Sequence, residues 1–444
     1  MRALTLLAMT KNGLTMRSAL VAPALVFVLL ALSHDGPCWL RAADQVSCGG
    51  NPNGYDFGLT GQRYDSTHLQ EERQAGIETK VFELSWRDYY PNEGEKDAAY
   101  VQLKKAQLKE LREAGFKIIL SFGYHDPPPW VHRNYPDSYY VNQYGERWTG
   151  DTFTVGHDVV LDRRGIVEGT PTDNGDANLV FNHRLRGLVA SYMKDVLRDF
   201  GTDFYGVRLG GGRYGEVTYP PASFSGKDNL YWAYDRNAQR SAAMAGIRGW
   251  RPGDPSPNGE TRRFLDWYLD SLLDYQNWQI KRLREAGYAG KIMLLYPGRG
   301  LRPGDIEAAA VSNLGGSTPA EVHGVLQSGH DFARQVRMIE DDNVLVTTTW
   351  LDAPTSGDAD EDPSNWSAAK YLYTLAKSNP ARPGLYGENT GAGSSEDMRV
   401  AAYQMRRYGL VGMSWYDEEQ LFSGRYATLD DYECVIKSFQ ASGR

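Results

Sequence analysis

Short runs rich in Val, Ile, Leu and Phe alternate along the chain with longer stretches whose apolar residues recur at helical spacing. The alternation occurs eight times and predicts eight strands, each followed by a helix. The predicted strands are Asp56–Gly61, Thr79–Ser85, Lys117–Phe122, Phe204–Gly210, Lys291–Tyr296, Asn343–Trp350, Pro383–Tyr386 and Leu410–Trp415. The predicted helices are Ser66–Ala75, Ala98–Ala114, Asn182–Asp199, Thr261–Ala286, Pro319–Ile339, Ser367–Lys377, Ser395–Arg407 and Leu429–Phe439.

Eight strand–helix units predict an α/β protein with a (β/α)8 TIM barrel. Long loops are expected after strands three and four, over about Asp126–Asn178 and from Gly210 to about Gly259. A doubly wound open sheet is the alternative, but it normally carries a GxGxxG turn after its first strand. The segment Tyr55–Arg63 reads YDFGLTGQR and lacks that spacing. In a TIM barrel the chemistry lies at the carboxyl ends of the strands, so functional residues are expected there.

The amino terminus has the pattern of a signal peptide. Arg17 precedes an apolar run from Ala19 to Leu32, and small residues suited to cleavage follow at Ala42 and Ala43. The run of about 14 residues is shorter than a membrane span requires. Residues 1–43 are expected to be a signal peptide, with an uncleaved membrane anchor as the alternative, and residues 44–444 a single catalytic domain. The mature chain is expected to be secreted or extracytoplasmic, and to meet a membrane only if the segment is uncleaved.

The charge balance, 48 Lys and Arg against 56 Asp and Glu, gives a net charge of −8. A cationic nucleic-acid binder is therefore not expected. Cys48 and Cys434 could form a disulfide in an oxidising compartment or remain unpaired thiols, while Cys38 would leave with the signal peptide. Neither a CxxC nor an HExxH motif occurs, so no metal or other cofactor is predicted.

Tyr and Trp are unusually abundant relative to Phe, with 28 Tyr and 11 Trp against 14 Phe. Such rings suit sites that meet both apolar and polar groups, as in sugar-binding clefts, although a Tyr-rich surface without a ligand would have the same composition. Four Trp residues lie at predicted strand ends: Trp86, Trp130, Trp350 and Trp415. A flat ring can stack on the apolar face of a pyranose, so the group favours a sugar site over simple hydrophobic capping of the barrel.

Two carboxylates at predicted strand ends are the candidate catalytic residues. Glu216 comes after strand four and Glu388 after strand seven, and each directly follows a Gly. Cleavage of a glycosidic bond needs two carboxyl groups, one to protonate the leaving oxygen and one to attack the sugar or activate water. A structural salt bridge is the alternative role for either residue. The other side chains expected to bind substrate are His125, Asp126, Arg213, Tyr214, Tyr296, Asp352, Asn389 and Glu418.

Several segments resemble two glycoside hydrolase families. Pro127–Arg147, which reads PPPWVHRNYPDSYYVNQYGER, and Phe82–Gly94, which reads FELSWRDYYPNEG, resemble segments of the family 42 β-galactosidases. Gly212–Pro221, which reads GRYGEVTYPP, and Gly387–Asn389, which reads GEN, are similar to the segments of family 14 β-amylases that carry the catalytic acid and base. The resemblance implies that Glu216 is the acid, or acid/base, and that Glu388 is the base or nucleophile.

The expected function is that of a secreted glycoside hydrolase, β-galactosidase-like or β-amylase-like, which acts on a carbohydrate with two glutamates. Family 42 enzymes place Asn directly before the strand-four Glu, whereas this chain has Gly215. That departure keeps a non-catalytic carbohydrate-binding barrel of the same fold as an alternative. A different barrel enzyme, such as a metal-dependent hydrolase, is a third reading.

Overall fold

The computed structural model describes residues 54–61, 63–150, 175–316, 322, 324–391 and 393–441. Within them, eight parallel strands close into a barrel in chain order, with β1 hydrogen-bonded to both β2 and β8. The strands are β1 Asp56–Thr60, β2 Thr79–Glu83, β3 Lys117–Ser121, β4 Gly206–Leu209, β5 Lys291–Tyr296, β6 Val344–Thr348, β7 Gly384–Glu388 and β8 Gly412–Tyr416. The predicted (β/α)8 TIM barrel is confirmed.

Helices surround the barrel between consecutive strands. They are α1 Ser66–Gln74, α2 Trp86–Tyr89, α3 Ala98–Glu113, α4 Pro129–Asn134, α5 His183–Phe200, α6 Arg236–Met244, α7 Glu260–Glu285, α8 Asp305–Val311, α9 Phe332–Arg337, α10 Ala368–Ser378, α11 Ser395–Arg407, α12 Glu418–Ser423 and α13 Leu429–Ala441. Local sequence explains where several begin. The side chain of Asn182 caps α5, and Ser394 and Asp397 form a reciprocal capping box at α11. Gly201, with φ of 84°, ends α5 as glycine typically does.

Side chains divide between two apolar regions because successive strand residues face opposite sides. The barrel interior holds a small cluster made of Val81, Ile119, Met293, Leu295, Leu345 and Tyr386. A much larger cluster fills the layer between the barrel and its helices. The helix α5 shows why this layer forms, because its buried Leu185, Val189, Tyr192 and Val196 recur at the spacing of one helix face. A strand residue's parity therefore decides whether it enters the barrel or the helix layer.

One predicted helix, Pro319–Ile339, is wrong in extent. Only α9, Phe332–Arg337, is helical among the described residues of that range. Gly324 and Gly329 have φ values of 86° and 80°, which interrupt a right-handed helix, and the side chain of Asp331 starts α9 afresh. Residues 317–321 and 323 lie outside the described ranges. The predicted long loops after strands three and four contain the short helices α4 and α6 in their described parts.

Two predictions concern segments that are only partly described. The predicted signal peptide and Cys48 lie outside the described residues. Cys434, on α13, is disulfide-bonded, which excludes the alternative of a free thiol there. Among the described residues, no helix has the length and apolar character needed to span a membrane.

Candidate active site

The carboxyl end of β7 places Glu388 inside the mouth of the barrel. Its side chain is 8% exposed and accepts hydrogen bonds from Arg208 Nη2 at 2.7 Å and from Thr60 Oγ1 at 3.3 Å. Arg208 projects from β4 and Thr60 ends β1, so three strands supply this contact. Burial disfavours the guanidinium charge, but the adjacent Glu388 outweighs burial and raises the pKa of Arg208. The ion pair and the hydrogen bond from Thr60 therefore fix the position of the Glu388 carboxyl group in the mouth.

Glu216 reaches the same mouth on a tight turn after β4. The turn spans Arg213–Gly215, and its ends are joined by a hydrogen bond from Gly212 N to Glu216 O at 2.9 Å. A Cβ atom at Gly210 would lie 1.9 Å from the carbonyl oxygen of Gly215, so only glycine lets the chain fold back here. This close packing of the backbone positions the carboxyl group of Glu216, which follows the turn.

The environment of Glu216 favours its protonated form. Its side chain is half-buried, and Thr349 Oγ1, just beyond β6, donates to Glu216 Oε1 at 2.6 Å. Desolvation and the negative charge of Glu388 raise the pKa of Glu216 to about 7, against opposing effects of Thr349, Arg208 and Arg213. The negative charge of Glu388 therefore lies close enough to Glu216 to disfavour its ionisation. Near neutral pH Glu216 can hold a proton.

A third carboxylate and a histidine lie on the other side of Arg208. Glu83 ends β2, and its Oε1 is 3.7 Å from Nε2 of His125, which follows β3. Both side chains are partly exposed, and the charge of Glu83 also acts on Arg208. A Cβ atom at Gly215 would lie 3.4 Å from His125 Nδ1, so the imidazole lies beside the turn that carries Glu216. His125 and Glu83 thus offer polar atoms next to both candidate catalytic carboxyls.

The aromatic ring that β8 presents to the mouth is Tyr416 rather than Trp415. Trp415 is 1% exposed, faces the helix layer, and contacts Tyr432 with ring centroids 6.3 Å apart. Tyr416 is the next residue, so its side chain points to the opposite side of the strand, toward the barrel mouth, where it is half-buried. Burial raises the pKa of Tyr416, and the negative charges of Asp417, Glu83 and Glu388 add to the effect. The predicted sugar-stacking role of Trp415 is therefore replaced by packing, because a strand turns adjacent residues to opposite faces.

Three more rings predicted to line the mouth are buried in the core instead. Trp86 is fully buried and stacks on Tyr192, while Trp130 donates from Nε1 to the carbonyl oxygen of Tyr90. Tyr296 faces the helix layer, and its hydroxyl donates to Gln276 Oε1 at 2.8 Å. These side chains offer no ring face to a ligand, so their assignment as substrate-binding residues is corrected. Trp350, at the end of β6, is half-buried and stays a predicted substrate contact.

Polar residues at the strand ends are mostly engaged with the protein itself. Asn389 accepts from Tyr416 N and donates to Tyr416 O, both at 2.6 Å, and so ties β7 to β8. Asp352 accepts from the backbone and hydroxyl of Thr390 at 3.0 and 2.6 Å. Asp126 forms an ion pair with Arg87. Asn389 is 3% exposed, so its predicted substrate contact becomes a structural one, whereas Asp352 and Asp126 remain partly accessible at the rim.

Glu418 was predicted to bind substrate, but it lies in a buried ionic cluster outside the barrel. We call Lys80, Glu72 and Glu418 the buried triad. Lys80 Nζ contacts both Glu72 carboxylate oxygens at 2.6 Å and also contacts Glu418, and the three side chains are almost completely buried. Glu418 also accepts from Arg63 N at 2.8 Å. Burial and the hydrogen bond with Glu418 raise the pKa of Glu72 to about 9, so Glu72 is a protonated carboxyl group of the triad at neutral pH.

Sequence reasoning missed Arg208, Thr60, Thr349, Glu83 and Tyr416. Strand parity was a usable signal for two of them. Arg208 lies within a predicted strand with apolar Val207 and Leu209 on either side, and Tyr416 follows Trp415 directly. The contacts of Arg208 and Thr349 with the two catalytic candidates have no local signature, because they join different strands. Within the described ranges, no group of three or more His, Cys, Asp and Glu side chains is arranged to hold a metal ion.

Comparisons with known proteins find similarity to glycoside hydrolases in sequence and in fold. A sequence model of family 42 glycoside hydrolases, described as β-galactosidase, matches residues 62–152, a stretch that includes β2 and β3. The chain resembles that family over this stretch. A comparison with the sequences of curated proteins gives no significant match.

Solved structures share the whole barrel. The catalytic domain of β-amylase from Paenibacillus polymyxa superimposes with a TM-score of 0.60 at 14% identity, over 87% of this chain and 98% of that chain. A β-galactosidase from the psychrophilic Marinomonas ef1 superimposes with a TM-score of 0.50 at 12% identity, over 87% of this chain and 59% of that chain. The chain therefore spans about three fifths of that β-galactosidase. The protein has a glycoside hydrolase-like TIM barrel.

Proposed function

We propose that the protein is a glycoside hydrolase that uses Glu216 as the general acid and Glu388 as the nucleophile or base. The observation that carries the proposal is that two carboxyl groups in electrostatic contact at the barrel mouth have different environments. Glu216 has a pKa raised to about 7 by burial and by Glu388, whereas Glu388 is ion-paired with Arg208 at 2.7 Å. A carboxyl group that holds a proton near neutral pH, with a second, ion-paired carboxyl group nearby, suits acid-assisted cleavage of a glycosidic bond.

In the first step Glu216 donates its proton to the oxygen of the leaving group as that bond breaks. Glu388, ion-paired with Arg208, either attacks the anomeric carbon or removes a proton from an attacking water. In the first case Glu216, now ionised, activates the water that releases the sugar. Tyr416 supplies a half-buried ring beside this centre, and Glu83 and His125 supply atoms that can bind sugar hydroxyls. The anomer first formed, observed by NMR, separates retention from inversion.

The substrate class is proposed from the two resemblances. A β-galactoside or an α-linked glucan is the expected substrate, since the family match is to β-galactosidases and the fold match includes a β-amylase. The predicted signal peptide supports a secreted or extracytoplasmic enzyme. Detection of the mature chain in the culture medium, with residues 1–43 removed, tests that part.

The decisive experiment is a panel of 4-nitrophenyl glycosides, lactose and malto-oligosaccharides, assayed with the wild-type chain and with Glu216→Gln and Glu388→Gln. Each substitution keeps the size of the side chain and removes its ability to exchange a proton or carry charge. Turnover of at least one substrate by the wild type and loss in both variants supports the proposal. Wild-type activity in either variant, with folding verified by circular dichroism, would contradict it.

A carbohydrate-binding barrel without turnover is the second candidate. The observation that favours it is Gly215, which stands directly before Glu216 where family 42 enzymes have Asn, a potential sugar ligand. Glycan binding without hydrolysis of any panel member, and unchanged by Glu388→Gln, would favour this candidate.

A further inference from the structure

Two side chains on the turn before Glu216 are not explained by the catalytic proposal. Tyr214 is 56% exposed, and it lies two residues before the proposed acid. Its φ and ψ of 59° and 19° place it in the left-handed region. A bulky residue rarely adopts that conformation, and Gly or Asn would adopt it with less strain. Neither burial nor backbone preference therefore accounts for a tyrosine at this position.

Arg213 and Tyr214 form a compact pair. The guanidinium carbon of Arg213 lies 4.6 Å from the centre of the Tyr214 ring, and Arg213 Nη2 donates to the Tyr214 hydroxyl at 3.0 Å. These contacts restrict both side chains while more than half of the tyrosine stays accessible. An aromatic ring beside several N–H donors combines an apolar face with polar contacts, which is the combination that a pyranose ring presents in return.

The pair lies within electrostatic reach of the reacting centre. The positive charge of Arg213 lowers the pKa of Glu216, and Tyr214 is among the groups that act on Tyr416 across the mouth. A general acid must lie against the oxygen of the leaving group. Arg213 and Tyr214 are on the same turn as the proposed acid, and this proximity is the reason to assign them to the leaving-group side.

We propose that Arg213 and Tyr214 form the leaving-group subsite and that this subsite binds a second sugar residue. The natural substrate is then an oligosaccharide or longer glycan rather than the glycoside of a small alcohol. Tyr214 contacts the apolar face of the leaving sugar, and Arg213 donates to its hydroxyls. This inference rests on the proposed function, because it assigns the leaving-group side from the role of Glu216.

The test separates recognition of the leaving group from chemistry on the attacked sugar. Lactose is compared with galactosyl fluoride, or maltotetraose with maltosyl fluoride, according to which series the wild type cleaves. Fluoride needs no leaving-group subsite, so Tyr214→Ala should leave its hydrolysis within about twofold. The kcat/KM for the oligosaccharide should fall about 10- to 30-fold, as expected when an aromatic contact residue is truncated. Equal losses on both substrates, or none, would overturn the inference.

Two further variants control for folding and for a general effect of losing a tyrosine. Tyr214→Gly removes the ring and also relieves the left-handed strain, so it should fold at least as well as wild type and show the same selective loss. Tyr403→Ala is the matched control, because Tyr403 is 39% exposed on α11 and likewise pairs with an arginine, Arg407, 5.7 Å from its ring. A comparable selective loss in Tyr403→Ala would contradict a subsite at Tyr214.

Failure of this inference is distinguishable from failure of the proposed function. If the wild type hydrolyses neither series, titration calorimetry of lactose and maltotetraose is carried out on the wild type and Tyr214→Ala. Weaker sugar binding by Tyr214→Ala than by the wild type would support the subsite even though the catalytic proposal had failed. Unchanged binding would overturn the subsite. Wild-type protein that neither cleaves nor binds these sugars would overturn both proposals.

Discussion

Two clusters of the molecule consist of two glutamates and one basic side chain: Glu216, Glu388 and Arg208 in the barrel mouth, and the buried triad. In the mouth, Arg208 pairs with Glu388 while Glu216 has a pKa raised to about 7. In the triad, Lys80 contacts two glutamates, and burial raises the pKa of Glu72 to about 9. Both clusters meet the same requirement, because a desolvated group of two carboxyls and one cation is closest to neutral when it also retains one proton.

Access to solvent is what separates the two clusters. The side chains of Lys80 and Glu72 are completely buried, so no substrate can approach them to accept a proton. Glu216 is half-buried at the open end of the barrel, where a substrate oxygen can approach it. A perturbed carboxyl is therefore a weak indicator of catalysis by itself, and it becomes a stronger one where the protonated group faces a cavity. Four experiments test this contrast.

The largest expected effect is on turnover. Glu216→Gln should lower kcat by about 10²- to 10⁴-fold, the usual contribution of general acid catalysis, because glutamine cannot protonate the leaving oxygen. Glu72→Gln makes the same chemical change in the buried triad and should leave kcat within about twofold, since it touches no substrate. Steady-state kinetics at saturating substrate measure both. An equal fall in kcat in the two folded variants would remove the distinction between the clusters.

The next largest effect is on stability. Here a change in the buried triad, rather than in the barrel mouth, is expected to have the large effect. Lys80→Met leaves two carboxyls buried without their cation and should lower the free energy of unfolding by about 3–5 kcal/mol. Lys109→Met, which removes an exposed partner of Glu113, is the control and should cost less than about 0.5 kcal/mol. Urea unfolding followed by circular dichroism measures both. A loss below about 1 kcal/mol for Lys80→Met would show that water reaches the triad.

The third experiment concerns the arginine of the mouth. Arg208→Met removes a positive charge that lowers the pKa of Glu216, so Glu216 should retain its proton to higher pH. The basic limb of the kcat/KM profile, where the general acid loses its proton, should therefore move to higher pH by about 1 unit. The profile between pH 4 and 9 provides the measurement, with Lys109→Met as a charge-matched control. An unmoved basic limb would mean that Arg208 does not act on Glu216.

The smallest effect is on the pH dependence of stability. The folded-state pKa of Glu216 is about 7, above its ordinary 4.5, so the folded chain binds this proton more tightly than the unfolded chain. Its stabilising contribution is present below pH 4.5 and is lost as the pH rises to about 7. Glu216→Gln should therefore gain about 1–3 kcal/mol over the wild type between pH 4.5 and 7, and no more above it. For Glu72→Gln the gain should continue to about pH 9. Thermal unfolding at pH 5, 7 and 9 separates the two, and coincident curves would contradict the assignment.

The order of elements was predictable from the chain, whereas the face on which a strand-end residue lies was predictable only where strand parity gave a signal, as for Arg208 and Tyr416. Hydrophobic runs and periodic helices give local signals, and β5 and α11 have the predicted bounds, Lys291–Tyr296 and Ser395–Arg407. Adjacent residues of a strand point to opposite sides of the sheet. The prediction named Trp415, whereas its neighbour Tyr416 faces the mouth. Glu418 was chosen for its position after β8, yet it turns into the helix layer to meet Lys80. Strand ends identify a region, but adjacent residues there belong to different environments.

The sequence by itself determined eight strand–helix units, and it pointed to Glu216 and Glu388 as carboxyls at strand ends. Only the tertiary structure decided which partners give these carboxyls different properties. Arg208 is 180 residues from Glu388, and Thr349 is 133 residues from Glu216. A closed parallel barrel brings the ends of all its strands to one rim, so contacts between residues far apart in sequence become local. Desolvation and charge, which set the protonation of Glu216, depend on that enclosure and have no counterpart in a linear pattern.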